Sequence, residues 1–285
     1  MKTMSGRQRL GACLDCIYGA EPAAAIYIAT HDQKIETVGT HLLPIQTGAA
    51  LSSDILCEIR DDTGENISAR NRTFCELTAL YWIWKHDIHA YTGLSHYRRR
   101  FLIRAEEIVS RLQICDVILP PPYYFRMDLT EEYQKYHIGS DLAMLRDVLS
   151  DIDSPTAKTL DTVLKQNMLI PYNMFIAGRL FLNDYCQWLF PILFELEKRL
   201  ETELKERNAY QKRIFGFLSE RLLTAYIKER QLTAAICPVS IPETTTLFGR
   251  AKYHGGRAFN RFYFTCFREY SRNKYGNAFH DCGKH

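Results

Sequence analysis

The run Tyr91-Thr92-Gly93-Leu94-Ser95-His96-Tyr97 has the character of a buried strand, and it leads directly into Arg98-Arg99-Arg100. Adjacent guanidiniums cannot all leave water without anionic partners. The strand therefore belongs inside a sheet, and its arginines belong at a sheet edge. In an extended chain Arg98 and Arg100 point one way and Arg99 the other, so at least one faces a cleft beyond the strand's end. Guanidinium forks match phosphate oxygens bidentately, which makes a diphosphate a natural ligand. The competing reading is ion pairing with Asp61, Asp62 or Glu65 in an acidic loop. His96 alternates with Tyr97, so only one of the two shares the ligand's face. A lone histidine is more often structural than catalytic.

Elsewhere, apolar strands alternate with amphipathic helices. Ala24–Ala29 reads as a strand that stops at Thr30-His31-Asp32, the way an open α/β sheet presents a ligand-binding edge. Residues 60–70 form a polar, turn-rich loop in which Ser68 or Asn66 can cap a helix from Asn71 to Lys85. That helix carries Phe74, Leu77, Leu80, Tyr81 and Trp84 on one face. Further helices are expected at Ala105–Leu112, Asp141–Leu149, Asn183–Arg207 and Phe215–Arg230, with strands at Asp116–Leu119 and Asn173–Ala177. The alternation predicts an α/β fold with a mainly parallel sheet. Three parts are expected: a lead-in at 1–22, the main domain at 23–245, and a basic-aromatic appendage at 246–285.

Composition narrows the setting. A net charge of +3 over 285 residues names no partner. Nine cysteines at irregular spacing point to a reducing compartment, and Cys13-Leu14-Asp15-Cys16 reads as two ordinary thiols. No apolar run reaches the ~18 residues of a membrane span, so a cytoplasmic protein is expected, free or peripheral on the inner face of the plasma membrane. Residues 250–275 interleave Arg250, Lys252, Arg257, Arg261, Arg268, Arg272 and Lys274 with aromatic rings. This composition suits an anionic membrane surface as well as it suits a helix packed on the domain. Nucleic acid is not expected as a partner, because no nucleic-acid module accompanies it.

Other residues carry candidate chemistry. Asp61-Asp62-Thr63-Gly64-Glu65-Asn66 is rich in oxygen ligands for ribose hydroxyls or a divalent cation, and equally reads as a solvated turn. Asp151-Ile152-Asp153 has the Asp-x-Asp form of a metal site but lies between a helix and Ser-Pro, so it reads as a loop. Glu220, early in an amphipathic helix, is a candidate base for an acceptor hydroxyl. Tyr123, Tyr124, Phe125, Tyr133, Tyr136 and His137 form an aromatic stretch suited to stacking on sugar rings.

Several segments together resemble a known family. They are Asp62-x-Gly64-x-Asn66-Ile67-Ser68, Asn71, Cys75-Glu76-Leu77-Thr78-Ala79-Leu80-Tyr81-Trp82-Ile83-Trp84-Lys85, Gly93-Leu94-Ser95-His96-Tyr97-Arg98-Arg99, Asn173-Met174-Phe175-Ile176 and Gly216-Phe217-Leu218-Ser219-Glu220-Arg221. In this order they resemble the capsular-polysaccharide and exopolysaccharide biosynthesis proteins long catalogued as a domain of unknown function. Those proteins are regarded as glycosyltransferases, with galactofuranosyl transfer among their activities. The resemblance spans about residues 24–242 and implies a GT-A-like fold that transfers a hexosyl group from a nucleotide-diphosphate sugar to a glycan or lipid-linked acceptor.

The resemblance also distributes roles. His31, Asp62, Asn66 and Asn71 would contact the donor nucleotide, and Arg98 and Arg99 its diphosphate. His96 and Glu220 would be catalytic, and Asn173, Tyr136 and His137 would lie on the acceptor side. Related GT-A enzymes carry an Asp-x-Asp after the central strand to hold manganese or magnesium. Here His96-Tyr97-Arg98-Arg99 stands in its place, so no metal ligand is assigned and no cofactor is required by the pattern. The alternative, a non-catalytic protein binding glycans or nucleotide sugars, draws on the same departure. A sugar-phosphate-modifying enzyme is a third reading of the arginine cluster.

Overall fold

A computed structural model describes residues 23–31, 35, 39–240 and 247–267, the side chains of 247–254, 266 and 267 excepted. The lead-in at 1–22, with Cys13 and Cys16, and residues 268–285 lie outside the described residues. In chain order the elements are β1 (Ala24–Thr30), β2 (Leu42–Gln46), β3 (Ile59–Arg60), α1 (Asn71–Phe74), α2 (Leu77–His86), β4 (Tyr91–His96) and β5 (Arg100–Phe101). Next come α3 (Ala105–Leu112), β6 (Val117–Leu119), β7 (Tyr123–Tyr124), α4 (Leu129–Tyr136), α5 (Ser140–Ile152), α6 (Ser154–Leu164) and β8 (Met168–Leu169). The chain continues through β9 (Phe175–Gly178), α7 (Arg179–Arg199), α8 (Glu201–Glu206), α9 (Ile214–Glu229), β10 (Ala234–Ile236), β11 (Val239–Ser240) and α10 (Leu247–Phe267).

Seven strands form one sheet in the order β10-β6-β9-β4-β1-β2-β3. β1 runs parallel to both β2 and β4, while β9 is antiparallel to β4 and β6. All seven residues of β1 are buried, as a central strand covered on both faces requires. Ala24 and Ile26 face a core with Ile108, Ile118 and Ile176, whereas Ala25, Tyr27 and Ala29 face the larger core with Phe74, Leu77, Leu189 and Leu222. Gly93 lets β4 and β9 approach: a Cβ there would lie 2.8 Å from Ile176 Cγ1. The mixed, mainly parallel sheet between helical layers is the expected α/β architecture.

The structure corrects several local expectations. The single helix expected over 71–85 is two helices, broken at Cys75, whose φ of 53° and ψ of −133° no helix accommodates. Ser68 does not cap it; its hydroxyl donates to Asp61, and Asn66 Oδ1 accepts from the Ser68 amide. The long helix begins at Arg179 and ends at Arg199, with Pro191 inside it. Asp151-Ile152-Asp153 is a helix junction, not a loop: Asp153 caps α6 through Thr156 N and also accepts from Thr156 Oγ1, Trp188 and Arg230. The arginines do not continue β4 as an extended chain. His96 and Arg99 exchange backbone hydrogen bonds of 2.9 and 3.0 Å, so Tyr97 and Arg98 form the tip of a tight turn.

The acidic loop splits into two roles. Asp61 is fully buried and accepts from Gly48 N (2.8 Å), Ala49 N (3.0 Å) and Ser68 Oγ (2.5 Å). Asp62 makes a bidentate, partly exposed pair with Arg60. Asp61→Ala leaves several donors unsatisfied in a dry site and is expected to cost about 3 kcal/mol or more in urea unfolding. Asp62→Ala is expected to cost under about 1 kcal/mol; equal losses from the two would overturn this division.

Candidate functional site

β1, β2 and β4 end at one edge of the sheet, at Thr30, Gln46 and His96. β2 leaves β1 on one side and β4 flanks it on the other, so the crevice beyond β1 is a topological switch point, where open α/β sheets bind ligands. Because β9 is antiparallel and Leu94 pairs with Phe175, the residues just before β9 reach this same edge.

Those residues form a strained turn. Tyr172 and Asn173 both have left-handed backbones, at φ 71° and 52°. Each such residue costs roughly 1–3 kcal/mol and persists only where its surroundings hold it. Four site side chains and one backbone carbonyl meet on these two residues. The Tyr172 amide donates to Glu220 Oε1 at 2.5 Å. The Tyr172 carbonyl lies 3.0 Å from His96 Nε2. Asn173 Nδ2 donates to Glu76 Oε1 at 2.6 Å and to the Gly216 carbonyl at 3.0 Å. The Arg99 guanidinium lies 4.2 Å from the centre of the Tyr172 ring. A carbonyl can only accept, so His96 Nε2 carries the hydrogen at that contact, and in the neutral ring Nδ1 keeps its lone pair.

A third strained residue supports the arrangement. Cys75 ends α1 and turns the chain so that Glu76 enters the site, 4.0 Å from His96 Nε2. Gly216 at the start of α9 makes this fit, since a Cβ there would press on Cys75 Sγ at 3.2 Å. Arg213 donates through Nε to the same sulfur at 3.4 Å.

The charges are concentrated and enclosed. Burial pushes the Glu220 carboxyl up to about 7; Arg221 and the Tyr172 amide oppose the rise, and Glu76 and Glu132 add to it. Arg221, only 2% exposed, binds Glu132, donates to the Phe217 carbonyl at 2.9 Å and lies 3.8 Å from Glu220 Oε2. Burial also raises the Glu132 carboxyl, against the pull of Arg221. His137 is held neutral, pushed down to about 4 by burial and then by Arg221 and Arg213.

Of the residues singled out in the sequence, His96, Arg99, Asn173 and Glu220 come together on the turn. Arg98 is exposed, with its guanidinium 5.2 Å from the Tyr97 ring centre, and Tyr97 in turn meets the His31 ring edge-on at 5.6 Å. His31 therefore stands beside the arginine turn. Among the described residues neither Arg98 nor Arg99 has a carboxylate partner, and Arg99 Nε is buried without a hydrogen bond.

Asp62, Asn66 and Asn71 take loop-holding contacts. Asn66 Nδ2 donates to the carbonyls of Asp62 and Gly64, and Asn71 Nδ2 donates to the Cys75 carbonyl and Thr78. Asn71 also fills the space over Gly48. Tyr136 is half exposed, and His137 packs between Tyr133, Tyr210 and Phe217.

Sequence reasoning gave no role to Glu76, Tyr172 or Arg221. Pro171-Tyr172-Asn173 does carry a turn signal, since Asn tolerates the left-handed region. Nothing in the helical periodicity around Glu76 marks it. At the end of β4, where an Asp-x-Asp is expected by resemblance, cationic side chains stand. Among the described residues no group of three His, Cys, Asp or Glu side chains is placed to hold a metal ion.

The fold is shared with the bifunctional glycosyltransferase WbbM in its apo structure, at a TM-score of 0.70 and 25% identity, over 77% of this chain and 45% of that one. This chain thus spans less than half the length of WbbM. Among curated proteins none matches. The mainly parallel sheet flanked by helices is accordingly a GT-A-like α/β fold. The family described as a domain of unknown function, DUF4422, matches residues 25–231, and the chain belongs to that family.

Proposed function

We propose that this chain is a glycosyltransferase that moves a hexosyl group, galactofuranose among the candidates, from a nucleotide-diphosphate donor to a hydroxyl of a glycan or lipid-linked acceptor in surface-polysaccharide synthesis. The observation that carries the reading is the turn at Tyr172–Asn173, which gathers His96, Glu76, Glu220 and Arg99 at the sheet's ligand-binding edge. The fold shared with WbbM supports it.

In this reaction the acceptor oxygen bonds to the anomeric carbon, the bond from that carbon to the diphosphate breaks, and the acceptor proton passes to a base. Glu220 is suited to that role, since a base works best with a pKa near the operating pH. His96 Nδ1 is the second lone pair available and positions the hydroxyl. Arg98 and Arg99, which lack carboxylate partners among the described residues, take the charge of the leaving diphosphate. His31 lies beside them and is assigned to the nucleotide, together with Asp62, Asn66 and Asn71. Tyr136 and His137 lie towards the acceptor. The cationic side chains at the end of β4 supply neutralising charge where an Asp-x-Asp would hold a metal, and the manganese and EDTA arms below decide whether they replace that metal or accompany it.

A place on the inner face of the plasma membrane fits a lipid-linked acceptor. Among the described residues no helix is long and apolar enough to cross a membrane. Phe259, Phe262 and Tyr263 are exposed at i, i+3 and i+4 of α10, which forms an aromatic stripe suited to an interface.

Calorimetry and hydrolysis with a panel of nucleotide sugars, with and without manganese or EDTA, test the reading. Arg99→Ala is expected to weaken donor binding by at least tenfold with its unfolding transition unchanged; a panel in which nothing binds or turns over overturns the transferase and leaves the glycan-binding and sugar-phosphate-modifying readings. Glu220→Gln is expected to lower kcat by about 10²–10⁴-fold, while the wild-type rate rises with pH and levels off above about 7.

The same variant has a stability signature. A carboxyl with a raised folded pKa binds its proton more tightly in the native state, so wild-type stability falls as pH rises from the usual carboxylate range through about 7. Glu220→Gln should therefore gain stability over wild type at pH 8, by on the order of 1–3 kcal/mol, and gain nothing at pH 4. A pH-independent difference in urea unfolding would show that the carboxylate is not strained.

A further inference from the structure

We propose that Tyr210, Arg213 and Phe217 form a subsite for one sugar ring, which stacks on the aromatic faces while the Arg213 guanidinium hydrogen-bonds its hydroxyls. That this ring belongs to the acceptor rests on the transfer reading above; binding of the ring is a separate matter with its own test.

The placement follows from one helix. Arg213, Phe217 and Glu220 stand at i, i+4 and i+7 at the start of α9, so they share one stripe that leads from the surface to the partly buried carboxylate. Phe217 precedes Glu220 by about one turn, ~5 Å along the axis, which is the width of a sugar ring. A ring on Phe217 therefore reaches Glu220 with a hydroxyl.

The aromatic surface is preassembled. Tyr210 and Phe217 have centroids 5.3 Å apart, and behind them the His137 ring lies parallel to Tyr210 at 5.6 Å and 4.1 Å from Phe217. His137 is uncharged there and serves as an apolar backing. The segment before α9 is pinned by the Gln211 amide on Asn208 Oδ1 and by Gln211 Nε2 on the Tyr136 carbonyl, both at 2.9 Å. Tyr210 nonetheless stays 48% exposed, an open ring on a fixed support.

Arg213 supplies the polar half. Its guanidinium carbon lies 5.5 Å from the Phe217 ring centre, and its Nε is taken by Cys75. Its terminal nitrogens make no hydrogen bond among the described residues. They present a donor fork of the kind that adjacent sugar hydroxyls accept. An amphipathic ring surface beside a donor fork fits a carbohydrate, whose faces carry C–H bonds and whose rim carries hydroxyls.

Saturation-transfer NMR with methyl glycosides of glucose, galactose and mannose in pyranose form, and of galactose in furanose form, tests the subsite. Calorimetry with UDP runs alongside on the same proteins. At least one glycoside is expected to receive saturation from the wild type. Tyr210→Ala should reduce that signal at least fivefold, Tyr210→Trp should retain it, and UDP affinity should be the same in all three. If the wild type binds glycosides through Tyr210 but binds neither UDP nor any member of the nucleotide-sugar panel, the subsite stands and the donor reading falls. The subsite is overturned if no glycoside is saturated by the wild type, if Tyr210→Ala binds as well as wild type, or if Tyr210→Ala loses UDP binding in parallel.

Discussion

Two left-handed residues, Tyr172 and Asn173, fix the geometry on which the site depends. A non-glycine backbone in that region is unfavourable by itself, and two in succession more so. What holds them is the set of contacts they make: a carboxylate on the Tyr172 amide, an imidazole on its carbonyl, and a carboxylate and a backbone carbonyl on the Asn173 amide group. The dependence runs both ways. Without the turn, Glu76, Glu220 and His96 have no common anchor; without those partners the turn has no reason to stay left-handed.

The carboxylate side brings two acids onto one buried guanidinium and a third acid beside them. Arg221 binds Glu132 and approaches Glu220, while Glu76 approaches from α2 by way of Asn173. Burial is the main reason a proton stays on Glu220 up to about pH 7, and the repulsion of Glu76 and Glu132 adds to it against the pull of Arg221. An apolar core of the same volume would be more stable. Retention of such a costly group beside a strained turn fits chemistry better than architecture.

The parts of this layout that were legible in the sequence are those fixed by local pattern. β1 announces itself by an unbroken apolar run, and β4 by the collision of such a run with arginines. Glu220 is visible as a carboxylate early in an amphipathic helix. The break before Glu76 is not, because Asn71 to Lys85 keeps one helical period throughout. It is fixed locally by Asn71 Nδ2 on the Cys75 carbonyl and from far along the chain by the close passage of Gly216. The arginine turn was hidden for a related reason. No glycine or proline marks it, and the pairing of β5 with β11, far along the chain, folds it back. Asp61 and Asp62 look alike in sequence, yet one is a buried hub and the other a partly exposed ion pair, a difference that only tertiary contacts create.

Tyr172 also explains why opposite charges in this site do not cancel. Its ring faces the Arg99 guanidinium, its amide faces Glu220, and its carbonyl faces His96. Arg99 thus shares the Tyr172 anchor with Glu220 and forms no ion pair with it among the described residues. A direct Arg99–Glu220 pair would hold the acid ionised and dock the guanidinium, removing both a base of useful pKa and a free cation. An aromatic ring attracts the guanidinium only weakly, by about 0.5–2 kcal/mol, so the cation is positioned yet remains available to an anion that offers more. Charge separation across one side chain is thus what lets a compact site keep an acidic half and a basic half at the same time.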